Sequence, residues 1–397
     1  MAHCCIIGGG VVGLSIAREL AGRGHTVRVL ARHAREDAAS WAAVGIFPPA
    51  PTYPGMTPNE ALTAYSHGLH QGWSRELLDE TGIDNGLRSC GGLHVAADDQ
   101  GLAALREKAL AWRAKNARSE LLDASGLAEV EPALAGAVAA GRLVGGMLLP
   151  DEQQFRSPRH LRALEASCRR RGVVVTRGAE VTQIDVAGGE VKGVVARIDG
   201  TIDHVHADAY VLAAGAWSGP LAEVFGLSLD TRPIRGQIAL LHLPRQPLTR
   251  IVNRGLDYLV PREEGRLLAG STLEDVGFDA TTTPDIIARL QRFAIDLLGD
   301  LAKGEPERTW AGLRPGTPDG VPFLGRPSGV SNAVVAAGHL RAGLHQSAGT
   351  AAIVADLVEG REPAINIAPF APNRRPGPAT SESSSGLLAR ARAEMGR

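Results

Sequence analysis

Cys4-Cys5-Ile6-Ile7-Gly8-Gly9-Gly10-Val11-Val12-Gly13 lies at the N-terminus, and its reading decides the fold. An apolar run leads into a glycine turn, and a helical pattern leads out of it. Val12, Ile16 and Leu20 recur at spacing four, and Gly24 is a stop signal. Strand, glycine turn and helix in that order form the dinucleotide-binding fingerprint. Gly8 permits the tight turn, Gly10 lets the backbone approach a pyrophosphate, and Gly13 lets the helix pack close to the strand. The N–H groups of the first helical turn, at Val11 and Val12, then face the phosphates at the positive end of the helix dipole. A second apolar run, Val27-Arg28-Val29-Leu30, stands where the next parallel strand belongs.

One position departs from the pattern. The second strand should end in Asp or Glu, which would hold the ribose hydroxyls. Here it ends in Ala31, followed by Arg32. An arginine in place of the acid suits a 2′-phosphate, hence NADP. It is equally compatible with an FAD ribose held by other groups, and the motif leaves both readings open.

Composition sets the outer bounds. A chain of 397 residues is long enough for two domains. With 44% apolar residues and a mean hydropathy of −0.03, it reads as a soluble globular protein with a sizeable core. A net charge of −1 gives no reason to expect nucleic acid or an anionic membrane as partner. No apolar run reaches the length of a membrane span, and no charged leader precedes the first strand. The 4 cysteines lack C-x-x-C spacing, so they read as reduced thiols in a cytoplasmic protein. Cys4 and Cys5 should point to opposite faces of a buried strand. His67 and His70 are helical neighbours and His204 and His206 share a strand, but neither pair has a third ligand nearby, so no metal site is predicted.

Along the chain the texture changes several times. Residues 33–56 read as loop, and helical patterns run from there to Thr81. A strand at 91–95, a helix at 99–118 and a strand at 145–149 follow. Ser157 and Pro158 open a helix, as N-cap and first helical residue, that stops at Gly172. Strands and a hairpin around Asp199-Gly200 lead to the buried run Tyr210 to Gly215. Between Arg232 and Thr309 strands dominate, with one helix at 284–298. The α/β texture returns with Ala333 to Gly338 and a helix at 343–359. The predicted fold is therefore mixed α/β and α+β. A Rossmann-like nucleotide-binding domain is formed by 1–84, 151–231 and 309–370, and an antiparallel-sheet substrate domain is inserted as 85–150 and 232–308. Residues 371–397, rich in Pro, Ser, Gly and Arg, are predicted to be a disordered tail.

Six segments together resemble the D-amino acid oxidase family of FAD flavoenzymes, and within it the glycine oxidase branch tied to thiamine biosynthesis. They are the turn Gly8 to Gly13, Ser40-Trp41-Ala42-Ala43-Val44-Gly45-Ile46, Val211 to Ser218, Asp257 to Arg262 with Gly265 to Gly270, Trp310-Ala311-Gly312-Leu313-Arg314-Pro315-Gly316-Thr317-Pro318-Asp319-Gly320, and Ala337 to Gly343. The resemblance spans most of residues 3–370. It implies the FAD fold of glutathione reductase type and a non-covalent flavin, since no cysteine lies in the segments that should flank the ring. It implies that Arg314 binds the substrate carboxylate, that Tyr258 helps to hold it, and that Arg341 stands near flavin and substrate. A planar guanidinium suits this task, because its two prongs match a carboxylate. Val44, Gly45 and Ile46 would lie along the flavin and Val181 near the adenine, and Ala39, Ser40 and Gly215 would also bind the cofactor. His339, Leu340, Arg341, Ala342, Gly343 and Leu344 would hold the ring. Ala342 replaces the usual Asn, Leu273 stands in the pocket region, and the run Leu344 to Ala348 is less apolar than the family's.

The reaction implied is oxidation of glycine or a small or N-methylated amino acid. A hydride passes from Cα to flavin N5, and dioxygen reoxidises the flavin with release of hydrogen peroxide. The imine hydrolyses to an oxoacid, glyoxylate from glycine. Two other readings compete: an FAD dehydrogenase of the same fold that passes electrons to a quinone or carrier protein, and an NADP-binding module suggested by Ala31-Arg32. The sequence is neutral on whether copies pair into a homo-oligomer.

Overall fold

The structure is a computed structural model that describes residues 1–32, 38–381 and 383–395. The loop assigned to 33–37 and the tail positions 382 and 396–397 lie outside the described residues.

The opening apolar run forms strand β1 (His3–Ile7), buried along all but its first residue. Helix α1 (Val11–Gly22) and strand β2 (Thr26–Ala31) follow, and β2 pairs with β1 in parallel. Gly8 has φ +121°, and a Cβ there would lie 2.2 Å from the carbonyl oxygen of Ala213. A Cβ on Gly13 would meet the Gly8 carbonyl oxygen at 2.0 Å. The two glycines therefore set how closely turn, helix and neighbouring strand approach. The six-stranded sheet runs Phe323–Gly325, Ala333–Ala337, Ala209–Leu212, β1, β2, Val174–Arg177. All its pairings are parallel except that of Phe323–Gly325. Cys4 faces the core shared with α1 and the helix Gly343–Val358, and Cys5 faces the opposite core, as their alternation predicts.

A second sheet has eight strands: Arg308–Gly316, Arg232–His242, Arg266–Gly270, Asp257–Pro261, Ile251–Arg254, Gly92–Ala96, Gly145–Leu149 and Glu120–Asp123. Only the contact between Ile251–Arg254 and Gly92–Ala96 is parallel. The helix Pro284–Leu298 covers one face with Leu290, Phe293, Ala294 and Leu297.

Four local readings need correction. The boundary at 309 cuts the strand Arg308–Gly316, which belongs to the eight-stranded sheet through nine register pairs with Arg232–His242. The helix predicted for 99–118 stops at Ala114, because Asn116 takes a left-handed φ of 62°, and the strand Glu120–Asp123 follows. Ser157 is the first residue of its helix rather than the N-cap, which is Arg156 and makes no side-chain capping bond. The tail is not without structure: Ser384–Met395 form a helix, with Leu387 and Ala391 packed on Ile234, Leu273 and Leu340. A composition poor in apolar residues hides that these two fall four apart, on one helical face.

Candidate active site

A cavity of about 1260 Å³ runs between the two sheets. It carries Gly8, Gly10, Val11, Val12, Arg32, Ala39, Ser40, Val44, Gly45, Ile46, Val181, Gly215, Tyr258, Arg314 and the run His339 to Leu344 on its walls. Residues more than 300 positions apart in sequence thus meet at one site. Gly13 and Ala31 do not reach it. Gly13 is turned against Gly8, and Ala31 is 2% exposed beneath Gly9, its methyl too short to touch the wall. Arg32 does reach the wall, with its guanidinium 4.4 Å from the Trp217 ring.

The dinucleotide end is built by backbone. Helix α1 has no side-chain cap from Gly10, and the Val11 N–H donates to Ser40 Oγ at 2.9 Å. A Cβ on Gly10 would lie 3.1 Å from Ser40 Oγ, so the glycine keeps this cradle open. The segment after Ser40 is tied down from both sides. Trp310 Nε1 donates to the Ala42 carbonyl at 3.2 Å. The buried Arg262 donates to the carbonyls of Val44 and Phe155, at 3.0 Å for the latter. Burial pulls the pKa of Arg262 down to about 10, and the group stays cationic at neutral pH.

The substrate end is built on the eight-stranded sheet. Arg314 Nη2 donates to Ser271 Oγ at 2.9 Å, and Nη1 donates to the Thr272 carbonyl at 3.0 Å. These bonds hold the guanidinium plane against the strand Arg232–His242. The position works only because residue 236 is glycine: a Cβ there would lie 2.2 Å from Arg314 Nη2 and 2.4 Å from Cζ. Gly270 does the same for Tyr258, whose Cε2 and hydroxyl oxygen would be 2.8 and 2.9 Å from an added Cβ. Burial lowers the Arg314 pKa, and the neighbouring Tyr258 opposes that shift while Arg341 adds to it. Next to Tyr258 across the strands stand Asn253 and then His94, by register. Asn253 Nδ2 donates to the buried Glu152 at 3.3 Å. Asn253, His94, Glu152, Ser271 and Gly236 all line the cavity, and sequence reading missed them. Their only signal is strand register, which a single sequence does not display.

Behind the loop 339–345 lies a set of histidines. His67 Nδ1 and His345 Nε2 are 2.8 Å apart, His70 Nε2 donates to the His345 carbonyl at 2.8 Å, and His345 stacks on Phe47 at 4.2 Å. Burial lowers the pKa of His70 to about 4, of His160 to about 3 and of His339 to about 4, and lowers His345 well below its ordinary value. The folded chain therefore refuses protons that the unfolded chain accepts below about pH 6.5. Stability is fully present above that pH and is lost as pH falls toward 4. At pH 5 each such histidine costs on the order of 2 kcal/mol. The unfolding midpoint of the protein is expected to fall by roughly 10 °C or more between pH 7 and pH 5. A midpoint that is flat over this range in a thermal melt would contradict the neutral, buried assignment.

Comparison with known proteins agrees with this geometry. The sequence profile of the family described as DAO, FAD dependent oxidoreductase, matches residues 3–357. Glycine oxidase of Pseudomonas aeruginosa is 35% identical over 374 residues, which is 93% of this chain and 98% of that protein. D-amino acid dehydrogenase of Methylobacterium nodulans is 29% identical over 409 residues, 91% of this chain and 96% of that one. The crystal structure of glycine oxidase from Geobacillus kaustophilus superposes with a TM-score of 0.86 at 32% identity, covering 95% of this chain and all (100%) of that one. A glycine cradle at one end of the cavity, an arginine clamp at the other and a profile match over nearly the whole chain have one reading: this chain belongs to the DAO family of FAD-dependent oxidoreductases.

Proposed function

We propose that the protein oxidises glycine or a small or N-methylated amino acid, with FAD held non-covalently. The single observation that carries the substrate class is Arg314, a guanidinium fixed against Gly236 and beside Tyr258 in the wall of the cofactor cavity. The residues that would hold FAD are Gly8, Gly10, Ser40, Val44 to Ile46 and His339 to Leu344, with the six-stranded sheet serving the cofactor and the eight-stranded sheet the substrate. FAD, when bound, accepts the hydride lost from the substrate Cα.

The chain's own part is positioning and charge. Arg314 and Tyr258 anchor the carboxylate, which fixes the Cα that lies one bond away. Arg341, on the same cavity, adds positive potential. Two guanidiniums near the amine disfavour its ammonium form, so the neutral amine needed for oxidation is favoured without a side-chain base. Leu256, Leu313 and Leu340 line the cavity and keep water from the reacting carbon. Hydrolysis of the released imine then gives the oxoacid.

The NADP reading of Arg32 is overturned, because the family's cofactor is FAD. The dehydrogenase reading keeps one support, the similarity to a D-amino acid dehydrogenase. Two measurements test the assignment. Anaerobic addition of glycine or sarcosine is expected to bleach the flavin band, and readmitted air is expected to restore it with stoichiometric peroxide. Bleaching without peroxide would favour the carrier-linked reading, and no bleaching by any amino acid would sink the proposal. Acid or heat is expected to release the yellow cofactor into the supernatant, whereas colour that stays with the precipitated chain would contradict non-covalent binding.

A further inference from the structure

The strand Arg308–Gly316, which carries Arg314, is an edge of the eight-stranded sheet. Its ladder neighbour is Arg232–His242, and among the described residues its other side carries a single isolated bridge, Leu313 to Ala38. An edge strand lacks a second ladder to hold it, so the place of Arg314 depends on what covers that strand. The C-terminal helix Ser384–Met395 supplies cover, although it lies beyond the family match, which ends at residue 357. At its start the Ser384 N–H and Oγ donate to the Thr317 carbonyl at 3.3 and 2.7 Å. The chain ahead of the helix is tied to the same stretch. Arg374 Nη1 and Nη2 meet Asp319 at 2.5 and 3.2 Å, Nη2 donates to the Val321 carbonyl at 2.7 Å, and the Gly377 N–H donates to Asp319 at 2.9 Å. Leu387, 1% exposed, then packs with Ala391 on Ile234, Leu273 and Leu340.

Each of these three residues is one step from Arg314. Ile234 is its register partner on the neighbouring strand. Leu273 follows Thr272, whose carbonyl accepts from Arg314 Nη1 at 3.0 Å. Leu340, with a left-handed φ of 45°, donates its N–H at 2.9 Å to the carbonyl of Pro315, the residue after Arg314. We propose that Leu387 is a positioning residue for substrate binding: through Ile234, Leu273 and Leu340 it fixes where Arg314 presents its guanidinium. This rests on the reading of Arg314 as the carboxylate clamp. The link is steric. A close-packed contact passes a displacement on, because the packed interior has few voids to absorb it. A two-pronged contact to a carboxylate in turn tolerates little misplacement. Gly236 leaves room for the guanidinium itself, and the packed leucines hold the backbone that carries and binds it.

The test compares the wild-type holoenzyme with Leu387→Ala, Leu387→Val and Leu387→Met. Glycine and glycine ethyl ester serve as substrates, and acetate, a carboxylate without an amine, is titrated through the flavin spectrum. Leu387→Ala is expected to raise KM for glycine and Kd for acetate by about fivefold or more, with kcat within about twofold and flavin content unchanged. The ester, which makes no ion pair with Arg314, should change by less than about twofold. Leu387→Met, which conserves the buried volume, should return both values to within about twofold of wild type. If Leu387→Ala does not fold, Leu387→Val carries the same comparison with a rise of about threefold. In an Arg314→Ala background, Leu387→Ala should cost nothing further in kcat/KM, since a missing clamp cannot be misplaced. Equal effects on glycine and its ester, an unchanged acetate Kd in a folded yellow variant, or an additive loss in the Arg314→Ala background would overturn the proposal. Acetate separates this failure from that of the oxidase reading. If no amino acid bleaches the wild-type flavin, the oxidation falls, and the positioning role is still decided by acetate binding. If Arg314→Ala leaves acetate affinity unchanged, the clamp and the positioning role fall together.

Discussion

Arg314→Ala is expected to lower amino acid turnover by a factor on the order of 10²–10³, the consequence of losing a charge-assisted pair worth about 3–4 kcal/mol in a water-poor pocket. The fold and the bound flavin should survive. Arg314 bonds to Ser271 and Thr272 in the substrate-side wall built on the eight-stranded sheet, whereas the glycine turn that cradles the dinucleotide follows β1 of the six-stranded sheet, and the truncation leaves space rather than a clash. Arg314→Lys is expected to restore only part of the rate, since an ammonium offers no planar pair of donors. The control is glycine ethyl ester, which presents no carboxylate and should lose little on the same change. Steady-state kinetics with both compounds, with the flavin spectrum recorded for each variant, separates the possibilities. Equal impairment of acid and ester would mean that Arg314 is structural and that the substrate binds elsewhere.

The parts of this fold that were legible in sequence are those with a strong local pattern. The glycine turn has a steric reason at each glycine, and the structure shows Gly8 and Gly13 in contacts that no side chain would permit. The helix Pro284–Leu298 is legible at roughly these bounds, because an apolar stripe and an N-terminal proline mark it. The strand Arg308–Gly316 was misassigned for a reason just as physical. A strand carries no mark of which sheet it joins, and its partner Arg232–His242 lies some 70 residues away. The same limit hid Asn253, His94 and Glu152, which become neighbours of Tyr258 only through pairing across strands. The tail was misread because composition averages over a segment, whereas two apolar residues on one face suffice when a finished surface of Ile234, Leu273 and Leu340 awaits them. Ala31 illustrates a converse case: its departure from the motif was visible at once, but only the structure shows that nothing at that position extends to the cavity while Arg32 does.

Gly236→Ala is expected to reduce kcat/KM for glycine by roughly 10- to 100-fold while the protein stays folded and yellow, which corresponds to about 1.4–2.7 kcal/mol of lost clamp geometry. No side chain is removed from the site, so the effect must act through position. The added methyl would sit 2.2 and 2.3 Å from the two terminal nitrogens of Arg314. These atoms are the far end of a flexible side chain, so they can move aside at little cost in stability. Having moved, the guanidinium no longer presents both prongs to a carboxylate. Gly270→Ala should act in the same way on the Tyr258 ring, with a smaller loss because a phenol contributes one neutral hydrogen bond where the guanidinium contributes a charged pair. Combining Gly236→Ala with Arg314→Ala gives the decisive measurement. If Gly236 serves only to seat the guanidinium, the double variant should be no slower than Arg314→Ala alone, since a clamp that is absent cannot be displaced. Additive losses would show instead that the methyl intrudes on the substrate itself, and that Gly236 shapes the floor of the pocket independently of the arginine.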